Sequence, residues 1–186
     1  YLSGFANTYS VIPGQGRWKQ FKSNGNDYAF SSGFVSTQIF KNVNLQFGHG
    51  KQKIGNGYRS LLLSDNAFNY PFIRLTQQWF GGRLQYTNIY AMLMNLTPAA
   101  VRKDKNVEDL LQKKAAQFQY LSLNITKKLN IGLFQGIMNQ SGDARNMQHF
   151  DWQYFNPAIG VNLINDNTKF IDKIILGGDL NYKFSK

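Results

Sequence analysis

The chain has no cysteine, which removes disulfide staples, thiolate metal sites and cysteine nucleophiles from consideration. Histidine is nearly absent as well: His49 and His149 are the only two, and they leave little for a histidine-based metal centre. No metal or other cofactor is therefore expected. Glutamate is represented by Glu108 alone, far from the Ala, Leu, Glu and Lys mixture of a helical protein. Runs of about 18 apolar residues are missing too, so a helical membrane span is excluded, although a β-barrel span needs no such run. No signal peptide opens the sequence. Tyr1-Leu2-Ser3-Gly4-Phe5 reads as the interior of a strand, and a processed chain or a fragment is the expectation.

What is present is a β composition: 15% aromatic residues and 17 glycines in 186 residues, a length suited to one domain. A formal charge of +11 would bring nucleic acid or an acidic surface to mind in a soluble protein. The basic residues are instead spread along the chain, in doublets such as Lys113-Lys114 and Lys127-Lys128, and nucleic acid is not an expected partner.

Alternation at period two marks the strands. Residues 1 to 12 read as a strand, followed by a loop over 13 to 27 through Arg17, Trp18 and Lys22. Tyr28 to Phe40 is the next strand, Lys41-Asn42 a tight turn, and Val43 to His49 a strand with Val43, Leu45 and Phe47 on one side and Asn44, Gln46 and Gly48 on the other. Phe72 to Phe80 and Arg83 to Asn95 form a hairpin about Gly81-Gly82. Residues 97 to 115 form a long connection in which Val107 to Lys114 has the spacing of a short helix. Gln117 to Thr126, a turn at 127 to 130, and Ile131 to Asn139 make another hairpin. After a polar connection in which a small hairpin is expected at 158 to 170, Ile174 to Phe184 is the last strand.

Short connections thus alternate with long ones, and strands of 9 to 11 residues carry Tyr and Phe near their ends. This is the pattern of an antiparallel up-and-down outer-membrane β-barrel, with short periplasmic turns and long extracellular loops. About eight strands are visible, and the expected fold is an all-β partial barrel, one domain over 1 to 186, belonging to a larger barrel.

The densest set of polar groups lies in FGHGKQKIGNGYRSLLLSDNAFNYPFIRL, residues 47 to 75. With LQYTNIYAML at 84 to 93, LNITKKLNIGLFQGI at 123 to 137 and FDWQYFNPAIG at 150 to 160, this stretch resembles a Bacteroidetes outer-membrane β-barrel family similar to the capsule assembly protein Wzi, which includes a gliding-motility-associated branch. The resemblance covers most of the chain and is strongest from about Asp27 to Tyr90. It implies a barrel larger than eight strands in the outer membrane, surrounded by lipid. It also implies a non-enzymatic role in binding or organising surface or capsular polysaccharide, or as a structural accessory of a gliding or secretion assembly with protein partners. It brings no catalytic residues.

The residues themselves offer weak catalytic signals. Ser60 or Ser64 with His49 and Asp65 makes a triad on paper, but no G-x-S-x-G elbow is present, and Asp65 has no acidic neighbour to form a glycosidase pair. Glycan binding fits better, since sugars are held by aromatic faces and planar polar groups, with Arg or Lys for charged sugars. Trp18, Tyr58, Tyr70 and Trp152 lie among Arg17, Lys51, Asn56, Arg59 and Asn66. The expected ligand-binding residues are Tyr58, Arg59, Asp65 and Asn66, with His49 nearby. The plainer alternative makes Arg59 and Asp65 an internal salt bridge, Leu61-Leu62-Leu63 a structural plug, and Trp79 and Tyr90 membrane anchors.

Overall fold

In the computed structural model the described residues are 11–12, 16–58, 60–98, 111–140, 159–160 and 173–184. They contain no helix. Three short strands, β1 (Val11–Ile12), β2 (Gly16–Phe21) and β3 (Gly25–Tyr28), form one small antiparallel sheet. The other seven, β4 (Gly33–Phe40), β5 (Val43–Gly50), β6 (Tyr70–Trp79), β7 (Leu84–Pro98), β8 (Leu111–Asn124), β9 (Leu129–Gln140) and β10 (Lys173–Tyr182), form a second sheet in strict sequence order. Every neighbouring pair is antiparallel, so the sheet is an open up-and-down meander.

Connection lengths sort by end. Residues 41–42, 80–83 and 125–128 turn the chain at one end, while 51–69, 99–110 and 141–172 join strands at the other. The turn after β6 is left-handed at Phe80 (φ 53°), Gly81 (64°) and Gly82 (85°), and two overlapping hydrogen bonds close it, Gly82 N to Trp79 O (3.1 Å) and Arg83 N to Phe80 O (3.4 Å). Glycine occupies two of these positions without steric penalty; Phe80 does not.

Several expectations are corrected. Trp18 and Lys22 lie in a β-hairpin where a loop was expected over 13 to 27, because Trp18 pairs with Tyr28 and Phe21 with Gly25. Leu111 to Lys114 is the start of β8, not the end of a helix: pairing with β7 and β9 outweighs a helical spacing carried by three apolar residues. The rest of that predicted helix, most of residues 1 to 12 and most of the 158 to 170 segment lie outside the described residues.

Register assigns each side chain to a face. One face carries Tyr70 and Phe72 of β6, Ile89 and Ala91 of β7, Ala116, Phe118 and Tyr120 of β8, and Phe134 of β9, all buried. With Ile54 of the 51–69 connection they form the core, against which Leu62, Leu63 and Ala67 of that connection also pack. Phe118 and Phe134 stack with centroids 6.2 Å apart and planes 16° from parallel. The 51–69 connection is therefore what covers this face.

The opposite face is exposed toward β4, β10 and the short turns, and buried at its centre on β7 to β9. Near the short turns Trp79, Leu84, Leu123, Ile131 and Leu180 are successive register partners on five adjacent strands, and further along Val35, Phe47 and Ile73 line up on three. Val35, Phe47, Ile73, Leu123, Leu133, Leu176 and Leu180 are 42 to 68% exposed. One part of this face differs: Tyr86, Asn88, Gln117, Gln119, Gln135 and Ile137 sit together on β7 to β9 and are buried. Asn88 Oδ1 accepts from Gln117 Nε2 (3.3 Å), and the Gly160 backbone N–H donates to Gln135 Oε1, so protein rather than solvent meets these amides.

Candidate functional site

The 51–69 connection is built to hold a shape. Ile54 N–H donates to Leu63 O (3.0 Å), and Ser60 Oγ donates to the Ile54 carbonyl while accepting from Leu62 N–H (3.1 Å). Gly55 has φ 109°, and a Cβ there would meet the Ser60 hydroxyl, so glycine is required at this position. Leu62 is thereby placed over Gly177 of β10, where a Cβ would lie 2.6 Å from Leu62 Cδ2.

A polar latch fixes the far edge. Asp179 of β10 accepts from Asn56 N–H (3.2 Å) and Asn56 Nδ2 (2.7 Å) at Oδ2, and from Tyr120 Oη (2.9 Å) at Oδ1. Asn56 Nδ2 also reaches Asn130 Oδ1 (3.1 Å). Gly132, between Tyr120 and Asp179 across the ladder, makes room for their bond, because a Cβ at 132 would occupy the space of both polar groups. The connection leaves β5 and re-enters at β6, yet is latched to β10. Four interstrand spacings of about 4.8 Å separate β6 from β10, so it crosses roughly 19 Å of sheet. A polar pocket of about 300 Å³ beside the latch is lined by Asn56, Ser122, Asn124, Lys127, Lys128 and Lys183, among others.

At the opposite end of the covered face, near the long connections, lies a larger cleft of about 720 Å³. Phe30, Phe34 and Phe72 supply aromatic faces, and His49, Lys51, Lys53 and Arg74 supply basic groups. Gln46, Gln52 and Asn69 add planar amides. Arg74 Nη1 donates to Gln52 Oε1 (3.2 Å), while its buried Nε has no partner. Asn69 donates Nδ2 to the Ser31 carbonyl, which His49 Nδ1 also approaches at 3.1 Å, and the buried Oδ1 of Asn69 accepts nothing. Lys51 Nζ stands 5.6 Å from the Phe30 ring centroid. Aromatic walls, cations and unsatisfied buried polar atoms suit this cleft to a polar, negatively charged ligand.

Of the residues expected from sequence, the cleft takes in His49 and Lys51 and leaves out Tyr58, Asp65 and Asn66. Tyr58 is 92% exposed, with its carbonyl accepting from Lys53 Nζ (3.4 Å); Asp65 and Asn66 are exposed, Asn66 N–H donating to Ser64 Oγ (3.1 Å). Arg59 lies outside the described residues, and the Arg59 to Asp65 bridge with it. The leucine plug is corrected in part: Leu62 and Leu63 pack on the core, whereas Leu61 is fully exposed. Tyr70 points into the core, not toward a loop surface. Sequence reasoning missed Arg74, Gln52, Asn69 and the Asp179 latch. Arg74 had a signal, as the one charge inside the otherwise uncharged strand YPFIRLTQQW. So did Asp179, the one acid on the small, polar face of the last strand.

The class that the fold defines is an all-β protein built on an antiparallel up-and-down sheet of seven strands. No protein-family model, curated protein or solved structure matches the chain.

Proposed function

We propose that the chain is part of a non-enzymatic outer-membrane β-barrel, of the Wzi-like Bacteroidetes kind that its sequence resembles, which holds surface polysaccharide. The observation that carries the reading is the sorting of connections: every turn at one end of the meander is short and every connection at the other is long, as in barrels that cross the outer membrane. The open face supports it. Monomeric soluble proteins rarely leave contiguous apolar surface of this kind uncovered, whereas lipid would cover it. The amides on β7 to β9 mark the part of that face where protein takes the place of lipid. On this reading the covered face turns to the lumen, the 51–69 connection straps it, and the cleft opens toward the cell exterior.

The cleft is where an acidic glycan would be held, with sugar rings against Phe30, Phe34 and Phe72 and carboxylates against Lys51, Lys53 and Arg74. Purified parent protein in detergent should bind native capsular or lipopolysaccharide glycan by isothermal titration. The Lys51→Gln, Arg74→Gln double variant should lose affinity by about tenfold or more, the scale of one charge-assisted hydrogen bond. Absence of binding to any native glycan, with co-purification of gliding or secretion proteins, would replace this reading with a structural accessory role.

A further inference from the structure

We infer that the pocket beside the Asp179 latch is a second binding site, which takes the phosphate monoester of a small polyol or sugar from solution. The pocket shares no lining residue with the Phe30 to Arg74 cleft, and the inference does not rest on the glycan reading.

Two separate parts of the chain bring the charge. Lys127 and Lys128 sit in the short turn after β8, and Lys183 follows β10, where its N–H donates to the Lys128 carbonyl (2.9 Å). The turn is held in shape, because Thr126 Oγ1 accepts from Lys128 N–H (3.2 Å) and Leu129 N–H (3.0 Å). All three lysines line the pocket, and among the described residues no acid does. Asp179 beside it already has both oxygens engaged, by Asn56 and by Tyr120. Cations gathered on one wall without an acid repel one another and raise the local concentration of anions.

The neutral part of the wall is bonded to itself. Asn130 donates to Ser122 Oγ (2.8 Å) and Asn124 Oδ1 (2.9 Å) and accepts from Asn56 Nδ2 (3.1 Å), while Asn124 Nδ2 donates to the Gly82 carbonyl (3.4 Å). These bonds fix the shape of the pocket before a ligand arrives. The lysines add donors only, since an ammonium offers three N–H groups and no acceptor. A phosphate monoester matches them, with a charge of about −1.5 to −2 at pH 7 and three strong acceptor oxygens. A carboxylate brings less of both. The volume of about 300 Å³ is roughly ten times the 30 Å³ share of one water, which leaves room for a small organic body beside the phosphate. That body bears hydroxyls and is not a nucleobase, because amides and hydroxyls line this pocket where phenylalanine faces line the cleft. It is soluble and not lipid-borne. Ser122, Asn130 and Asn181 lie on the face covered by the 51–69 connection, opposite the exposed apolar rows.

The test titrates the intact parent protein in detergent with glycerol phosphate, by calorimetry at fixed ionic strength. Binding should saturate, and neither glycerol nor acetate should bind at the same concentrations. Lys128→Gln combined with Lys183→Gln should weaken binding by about tenfold or more. Lys41→Gln combined with Arg83→Gln removes two charges at the same end of the sheet but outside the pocket, and should change binding by less than about twofold. Gly55 and Asn56 of the 51–69 connection form one wall, so occupancy should also slow Ile54 amide exchange, by about tenfold or more at a roughly hundredfold excess over Kd. Failure to saturate, equal binding of acetate, or equal losses in the two double variants would overturn the site. Binding that leaves Ile54 exchange unchanged would put the phosphate elsewhere and overturn it too. Displacement of glycerol phosphate by phosphatidic acid in the micelle would make the ligand a lipid headgroup and overturn the soluble source.

Discussion

Removing the carboxylate of Asp179 should free the strap while leaving the sheet beneath it intact. Asp179 accepts three hydrogen bonds, two from Asn56 and one from Tyr120, at 2.7 to 3.2 Å. Hydrogen bonds to charged acceptors contribute about 1.5 to 3 kcal/mol each when one partner is deleted, but three sharing one carboxylate are not additive. A total of about 3 kcal/mol for Asp179→Ala is the working figure, equivalent to a roughly hundredfold rise in the equilibrium for local opening. The reporter is the Ile54 amide, which is bonded to Leu63 O within the strap and is remote in sequence from residue 179. Its exchange should accelerate by about that factor, while amides of β7 and β8 keep their rates. Asn56→Ala should give a smaller acceleration, and the double variant should fall short of the sum by 0.5 kcal/mol or more, since the two side chains share bonds. Exchange at Ile54 unchanged in Asp179→Ala, or energies that simply add, would refute the latch.

The other predictions follow from packing and backbone geometry. Gly132→Ala should open the strap much as Asp179→Ala does although residue 132 lies on β9 and not in the strap, because the new methyl group displaces the Tyr120 to Asp179 bond. Gly136→Ala, whose Cβ would meet Phe118 and Phe134 at 3.4 Å, should leave Ile54 exchange within a few-fold of wild type. Phe134→Ala empties a site that is 2% exposed and stacked on Phe118, and should lower the unfolding free energy in urea by about 3 to 5 kcal/mol. A loss below 1 kcal/mol would show that this face is not the core. Phe80→Asn relieves a bulky residue at φ 53°, and should raise stability by up to about 1 kcal/mol in the same assay.

Much of the meander was legible because its signals are local. Val43 to Gly50 alternates strictly, Lys41-Asn42 and Gly81-Gly82 sit where the turns form, and the face assignments of Val43, Leu45 and Phe47 and of the last strand agree with the register. Where a local signal was ambiguous the ladder decided. Leu111 had helical spacing with Val107, but its partner Pro98 on β7 is distant in sequence, and no window of neighbouring residues contains that information. The hairpin at 16 to 28 was hidden by turn-rich residues such as Lys22-Ser23-Asn24-Gly25, which read equally well as loop.

The site was less legible for the same reason. The 47 to 75 stretch supplies much of the cleft lining, but its polar density does not say which groups turn inward. Tyr58 and Asp65 project into solvent, while Asn56 of the same stretch reaches a carboxylate 123 residues away. Arg74 joins His49 and Lys51 only because β5 and β6 are register partners through Gln46 and Arg74.

Heat-modifiable migration of the full-length parent, taken from isolated outer membranes, tests the central claim most directly. The sheet of sorted connections and open apolar face predicts a band that shifts between unheated and boiled samples, as a detergent-resistant membrane barrel requires. Protein recovered from the soluble fraction with no shift would contradict the account, and the apolar rows on the open face would then need a protein partner in place of lipid.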